Sequence, residues 1–169
     1  MASRKELSHG CKSGSGRLSH RDAVSDRKGA AEAIDFYKRV FGATEMLRMA
    51  DPQGRVGHAE VRIGDSVIML ADEHPAMGYR SPRALGGSSV SILLYLPDVD
   101  AVFERAVKAG GRALRPVMDQ FYGDRSGTFE DPFGHLWTVA THVEDVTPEE
   151  MRRRAEAAMK TGAAPATNA

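Results

Sequence analysis

The middle of this chain reads twice. Residues 33–43, Ala-Ile-Asp-Phe-Tyr-Lys-Arg-Val-Phe-Gly-Ala, have the apolar spacing of an amphipathic helix that ends on Gly42. Residues 100–110, Asp-Ala-Val-Phe-Glu-Arg-Ala-Val-Lys-Ala-Gly, have it again, aligning Phe36 with Phe103 and Val40 with Val107. Strand-like runs follow each helix, then a Gly turn and a last apolar strand. That strand is residues 64–70 (Gly-Asp-Ser-Val-Ile-Met-Leu) in the first half and 134–139 (Gly-His-Leu-Trp-Thr-Val) in the second. A repeated helix plus three strands constrains the fold, because one unit alone cannot bury its apolar face. Two such units can curl their sheets around a shared cavity, the expected place for a small molecule.

Length and charge narrow the classes further. At 169 residues the chain is one domain, or two small repeats sharing a core. Its 23 basic residues balance 23 acidic ones, so it has no electrostatic footprint for nucleic acid or an anionic membrane. Cys11 has no second cysteine to pair with and reads as an inert thiol in a polar tail. No stretch reaches transmembrane length. Residues 1–29 are polar and lack an apolar signal core, which predicts a cytoplasmic protein.

Three segments are expected along the chain. Residues 1–28 read as a polar, disordered tail. Residues 29–147 form the folded domain, with modules at 29–72 and 88–142 joined by a long Pro/Gly-containing loop. Residues 148–169 form a C-terminal helix, announced by Thr147-Pro148-Glu149-Glu150, and a frayed end. Within the domain, Asp51-Pro52-Gln53-Gly54 is a tight turn. In residues 56–63, Val56, His58, Glu60 and Arg62 fall on one side and Ala59, Val61 and Ile63 on the other. Strands are predicted at 112–118 and 127–130, with residues 119–126 as the loop between them. Asp98 or Asp100 caps the second helix.

Three motifs carry a family resemblance. Residues 29–38 (Gly-Ala-Ala-Glu-Ala-Ile-Asp-Phe-Tyr-Lys), 58–66 (His-Ala-Glu-Val-Arg-Ile-Gly-Asp-Ser) and 131–137 (Asp-Pro-Phe-Gly-His-Leu-Trp) resemble the vicinal-oxygen-chelate superfamily. That superfamily holds the glyoxalase I, bleomycin-resistance and extradiol-dioxygenase folds, and the chain looks most like its PhnB-like branch. The resemblance implies an α+β fold of two βαβββ modules. These form a curved mixed sheet around a cleft, commonly in a homodimer. Members that use a metal take His, Gln or Glu from the first strand of each module and Glu from the last. Here three of the four matching positions hold Met69, Thr138 and, within a residue, Ser91, none of them a plausible ligand for a divalent metal, and the fourth falls in the first strand of module one, for which the sequence offers no counterpart. The expectation is therefore no metal and no cofactor.

Candidate site residues come from the polar groups near the expected cleft. His58 lies mid-strand and makes a polar row with Glu60 and Arg62. It either lines the cleft or faces solvent on a strand edge. Gln120, Tyr122 and Arg125 sit in a loop too polar and aromatic for core, and loops on a rigid sheet often carry recognition. Arg125 can grip a carboxylate or phosphate with two hydrogen bonds, or else pair with Asp124 or Asp119. Trp137 reads as core, or as the floor of the pocket. Met46, Met49, Met69 and Met118 are either an adaptable cavity wall or plain packing. His142 can approach the same cavity or cap it. His74 and His135 fall in a loop and a turn, and His9 and His20 in the tail.

One element of the resembling fold is missing. A family strand such as Thr-Val-Thr-Pro-Tyr-Leu-Ile-Val should precede the first helix, where residues 18–27 read Leu-Ser-His-Arg-Asp-Ala-Val-Ser-Asp-Arg. A permitted set of codons for residues 17–27, read one base later, encodes Gly-Tyr-Pro-Thr-Val-Thr-Pro-Tyr-Leu-Ile. A frameshift thus accounts for the loss, and a genuine divergent tail is the alternative. The functional expectation is a metal-independent small-molecule-binding protein or enzyme. The alternatives are a metal-dependent lyase or dioxygenase and a non-catalytic, ligand-sequestering dimer.

Overall fold

The first helix begins where two carboxylates meet its free N–H groups. The computed structural model describes residues 29–160, so the tail, its frameshift reading and residues 161–169 lie outside the described residues. Helix α1 (Ala30–Phe41) opens with Gly29 N donating to Glu32 Oε2 at 3.0 Å and Ala30 N to Asp72 Oδ1 at 2.6 Å. It stops at Gly42, whose φ of 67° is the left-handed conformation that glycine adopts without a Cβ penalty.

Strands β1 (Thr44–Ala50), β2 (Val56–Ile63) and β3 (Ser66–Leu70) follow as an antiparallel sheet in that order. The joining loop is partly structured, with a 3-10 turn at Pro75–Met77 and a short helix α2 (Pro82–Leu85). The second unit comprises β4 (Ser91–Tyr95), α3 (Val99–Lys108), β5 (Arg112–Asp119), β6 (Asp124–Glu130) and β7 (Leu136–His142). Its sheet runs β4-β7-β6-β5, with β4 parallel to β7 and the other pairs antiparallel. Helix α4 (Pro148–Lys160) closes the described chain, with Thr147 Oγ1 accepting from Glu150 N at 3.3 Å.

The second unit is a complete βαβββ module. The first is αβββ, and among the described residues β3 has one strand neighbour, β2, where its counterpart β7 has two. Among the described residues nothing stands beside β3 where β4 stands beside β7.

The repeat holds, but its helix register differs from the alignment of Phe36 with Phe103. Ala30 N donates to Asp72, just past β3, and Val99 N donates to Thr141 Oγ1 in β7 at 3.0 Å. That correspondence matches Ala30 to Val99 and places buried Ala33 and Tyr37 on buried Val102 and Ala106. The earlier pairing set buried Val40 against Val107, which is 40% exposed. The register differs because α3 is two residues shorter than α1 and turns Val99, Val102 and Ala106, rather than Phe103 and Val107, to the buried face.

One apolar core joins the two units. Phe36, Tyr37 and Phe41 of α1 pack on Phe129, Phe133 and Trp137 of the second module. Asp131 fastens that contact from within. Its Oδ2 accepts from Tyr37 O–H and from the Trp137 indole N–H, both at 2.9 Å. Its Oδ1 accepts from the backbone N–H groups of Phe133 and His135, also at 2.9 Å. A buried charge is tolerable when its lone pairs are filled in this way. Burial first, then the Asp131 charge, pushes the Tyr37 hydroxyl far above its usual range, so it stays a donor. At Gly127 a Cβ would sit 2.9 Å from Val117 and 3.0 Å from the Phe103 ring, so only glycine lets α3 lie this close to β6.

Candidate functional site: two open sheet faces

Alternation along each strand sends one set of side chains to the core and leaves the other on an open face. In β2, Ala59, Val61 and Ile63 are buried, and His58, Glu60 and Arg62 stand on the opposite side. Val56 does not follow the expected pattern. It is buried, its N–H donating to Asp72 Oδ2 at 2.6 Å, because the β1–β2 register shifts between Met49 and Ala50.

Register places apolar neighbours beside the polar row. Met49 lies opposite His58, Leu47 and Met69 flank Glu60, and Val67 lies beside Arg62. Met49 is 61% exposed and Met69 67%, so these methionines are not core packing. His58 Nε2 is 3.2 Å from Glu60 Oε1, and the Arg62 guanidinium points two N–H groups at Met46 Sδ, 3.3 Å away. This face is therefore a charged row on a soft, adaptable floor.

The second sheet has its own open face. Ile92, Leu94, Phe129, Trp137 and Val139 pack in or against the core. By register Ser91, Leu93, Tyr95, Thr128, Thr138 and His142 share the other side. Ser91 and Thr138 hydroxyls lie 3.2 Å apart and those of Thr128 and Thr138 3.1 Å, forming a short hydroxyl ladder.

At one end of this face Asp124 is buried between two side chains. Tyr95 O–H donates to its Oδ2 at 2.7 Å, and His142 Nδ1 lies 2.9 Å from its Oδ1. His142 Nε2 is 2.9 Å from Asp145 Oδ1. Hydrogen bonding to Asp124, then to Asp145, holds the His142 imidazolium to higher pH than usual. The hydrogen bond to Asp124 likewise raises the Tyr95 hydroxyl. The row can thus present a fixed phenol oxygen as acceptor beside a positively charged ring.

The expected site residues separate into two groups. His58 and Glu60 are together on the first open face. Gln120 and Tyr122 are in the β5–β6 turn, where the Gln120 amide donates to Met118 O at 3.3 Å and Phe121 and Tyr122 make an edge contact. Arg125 is not in that loop: β6 begins at Asp124, earlier than expected. Arg125 pairs in register with Thr141, the residue that caps α3, and so lies on the helix side. Its Nε and Nη2 each donate to Asp100 at 2.7 Å and its Nη1 to Asp119 at 2.9 Å. Trp137 is 1% exposed and bonded to Asp131. Both are therefore across sheet two from Tyr95 and His142. Sequence reasoning missed Tyr95 and Asp124. Tyr95 shares the alternation of Ser91, and Asp124 pairs with His142 only once the β6–β7 register is known.

Among the described residues, those that the resemblance sets at metal positions do not fit a divalent ion. Ser91 and Thr138 are neutral hydroxyls bonded to one another, and Met69 is a thioether on the other sheet. Among the described residues no group of three or more His, Cys, Asp or Glu side chains is placed to hold a metal.

A two-module α+β scaffold with open, partly polar sheet faces is the class that this fold and site define. The chain belongs to the glyoxalase/bleomycin resistance protein/dioxygenase superfamily, whose sequence model matches residues 27–139. An uncharacterised protein of Mycobacterium bovis is 44% identical over 126 residues, covering 73% of this chain and 83% of its own. The crystal structure of TioX from a Micromonospora species superposes with a TM-score of 0.53 at 28% identity, covering 70% of this chain and 92% of that one. The PhnB protein of Bacillus cereus shares the fold at 20% identity, with a TM-score of 0.52 over 66% of this chain and 90% of its own. No helix among the described residues is long and apolar enough to cross a membrane.

Proposed function

We propose that the protein is a metal-independent small-molecule-binding member of this superfamily, and that two copies complete its cleft. The observation that carries the reading is the pair of open faces, each with an organised polar row among exposed apolar side chains. Ligand contacts come from His58 and Glu60 on one face and from Tyr95, His142, Gln120 and Tyr122 on or beside the other. Arg125 and Trp137 then support the site from behind, through α3 and the core.

The faces also argue for a second copy. Met46, Leu47, Met49, Val67 and Met69 are exposed on sheet one, and Leu93, Tyr95 and Met118 on sheet two. Apolar patches of this extent on a folded protein mark interaction surfaces. A stable dimer needs about 800 Å² per partner, within reach of one sheet face.

Acid–base chemistry is favoured over plain sequestration by the Tyr95–Asp124–His142 row, since a pure sequestering cleft has no use for it. A thermal-shift screen with a small-molecule library tests the assignment. Saturating ligand at about 100 times its Kd stabilises by about 2.7 kcal/mol. A hit should lose most of its shift in Glu60→Gln or Tyr95→Phe. Hits that shift both variants as much as the parent protein would place the site elsewhere.

A further inference from the structure

The segment after β3 folds back over the end of sheet one and reaches the β6–β7 turn of the second module. Pro82 and Arg83 approach Gly134 there so closely that a Cβ on it would lie 3.2 Å and 3.1 Å from them. Between this segment and the β1–β2 hairpin is a cavity of about 750 Å³. That volume is in the range of small-molecule sites, roughly 300–1,000 Å³. His58, Glu60, Tyr95 and His142 do not line it, so it lies beside the first open face, sharing Met49 with it but none of its polar row.

The hydrogen-bonding state of its wall is asymmetric. The acids accept from backbone N–H groups. Asp72 accepts from Ala30 N and Val56 N, both at 2.6 Å. Glu73 accepts from Ser81 N at 2.6 Å, and Asp51 from Gln53 N and Arg55 N. Among the donors, Arg55 pairs with Asp51 at 3.9 Å. Hydrogen bonding from Ser81, then the Arg80 charge, holds the Glu73 carboxyl below its usual range. The side chains of Arg80, His74 and His135, which line the cavity, have no hydrogen-bond partner among the described residues. Apolar surface comes from Met49, Met77 and Tyr79, each more than 60% exposed. A ligand suited to this wall offers acceptors at one end and an apolar body at the other.

We propose that the cavity is a second binding site, for an amphipathic carboxylate. The Arg80 guanidinium takes the carboxylate, its planar fork matching two carboxylate oxygens. His135 and His74 supply further ring nitrogens, and the aryl or alkyl body lies on Tyr79, Met77 and Met49. The two imidazoles come from a joining loop and a turn in different modules, so their proximity exists only in the folded chain. The site shares Met49 with the first open face and uses none of that face's polar row.

Titration calorimetry on the full chain with phenylbutyrate and phenylbutylamine tests it. The acid should bind saturably and more tightly than the amine. Arg80→Gln should weaken the acid about ten- to a hundredfold, the usual effect of losing a charge-assisted partner. His135→Gln should weaken it less, and Arg152→Gln, which removes the same charge from α4, should leave it unchanged. Circular dichroism confirms that each variant is folded. No saturable binding of the acid, equal binding of the amine, or full affinity in Arg80→Gln would overturn the site. Affinity lost in His58→Gln instead of Arg80→Gln would also overturn it, while leaving the open-face reading standing.

Discussion

Asp131 shows how one residue can decide a fold. Four donors converge on its carboxylate, two of them side chains from opposite modules. Replacing it leaves buried Tyr37 O–H and Trp137 N–H without partners, at about 1–3 kcal/mol each. Asp131→Ala should therefore lose at least about 3 kcal/mol in urea unfolding, and Tyr37→Phe, which orphans no donor, about 1 kcal/mol. Equal losses would mean that the carboxylate is not the shared anchor. His142 gives a second test at this scale, through pH. Its folded pKa is raised, so the protonated ring is the one the fold favours. Its contribution is complete below about pH 6.5, the usual histidine value, and is lost as pH rises through the raised value. The stability advantage of the parent protein over His142→Gln should shrink across that rise. A gap that is flat or widens with pH would contradict the Asp124 contact.

Elements were more legible in the sequence than sites. The end of α1 at Gly42 and the start of α4 at Thr147 were readable because caps are local chemistry. The polar row of β2 was readable because alternation is local too. Arg125 was not, because its partner Asp100 is on another element, and its strand, β6, starts earlier than its polar composition suggests. Tyr95 and Asp124 needed a strand pairing that periodicity does not supply. The clearest unfinished element is β3. Its outer edge has no partner among the described residues, and the equivalent edge of β7 carries β4. Unpaired edges open easily and invite association. Hydrogen exchange should therefore be faster in β3 than in β7. Replacing residues 20–27 by Thr-Val-Thr-Pro-Tyr-Leu-Ile-Val should slow it and raise the Tm. No gain in stability from that replacement would refute the frameshift account.

At the scale of the whole molecule, the two modules share one core on their helix sides, and among the described residues nothing covers either sheet face. On the proposed reading a second copy covers them and removes that apolar surface from water. Sedimentation should give twice the chain mass of 18.3 kDa, and Met69→Glu should shift the population toward single chains. A parent protein that stays monomeric at high concentration would contradict the completed cleft.

Met69, Ser91 and Thr138 stand where the resemblance sets metal ligands, and on the proposed reading the scaffold binds its ligand without a metal. Elemental analysis of the purified full chain, expressed in medium supplied with zinc, nickel, iron and manganese and then dialysed, tests it most directly. Far less than one of these ions per chain is expected. One ion per chain, retained through dialysis, would contradict it.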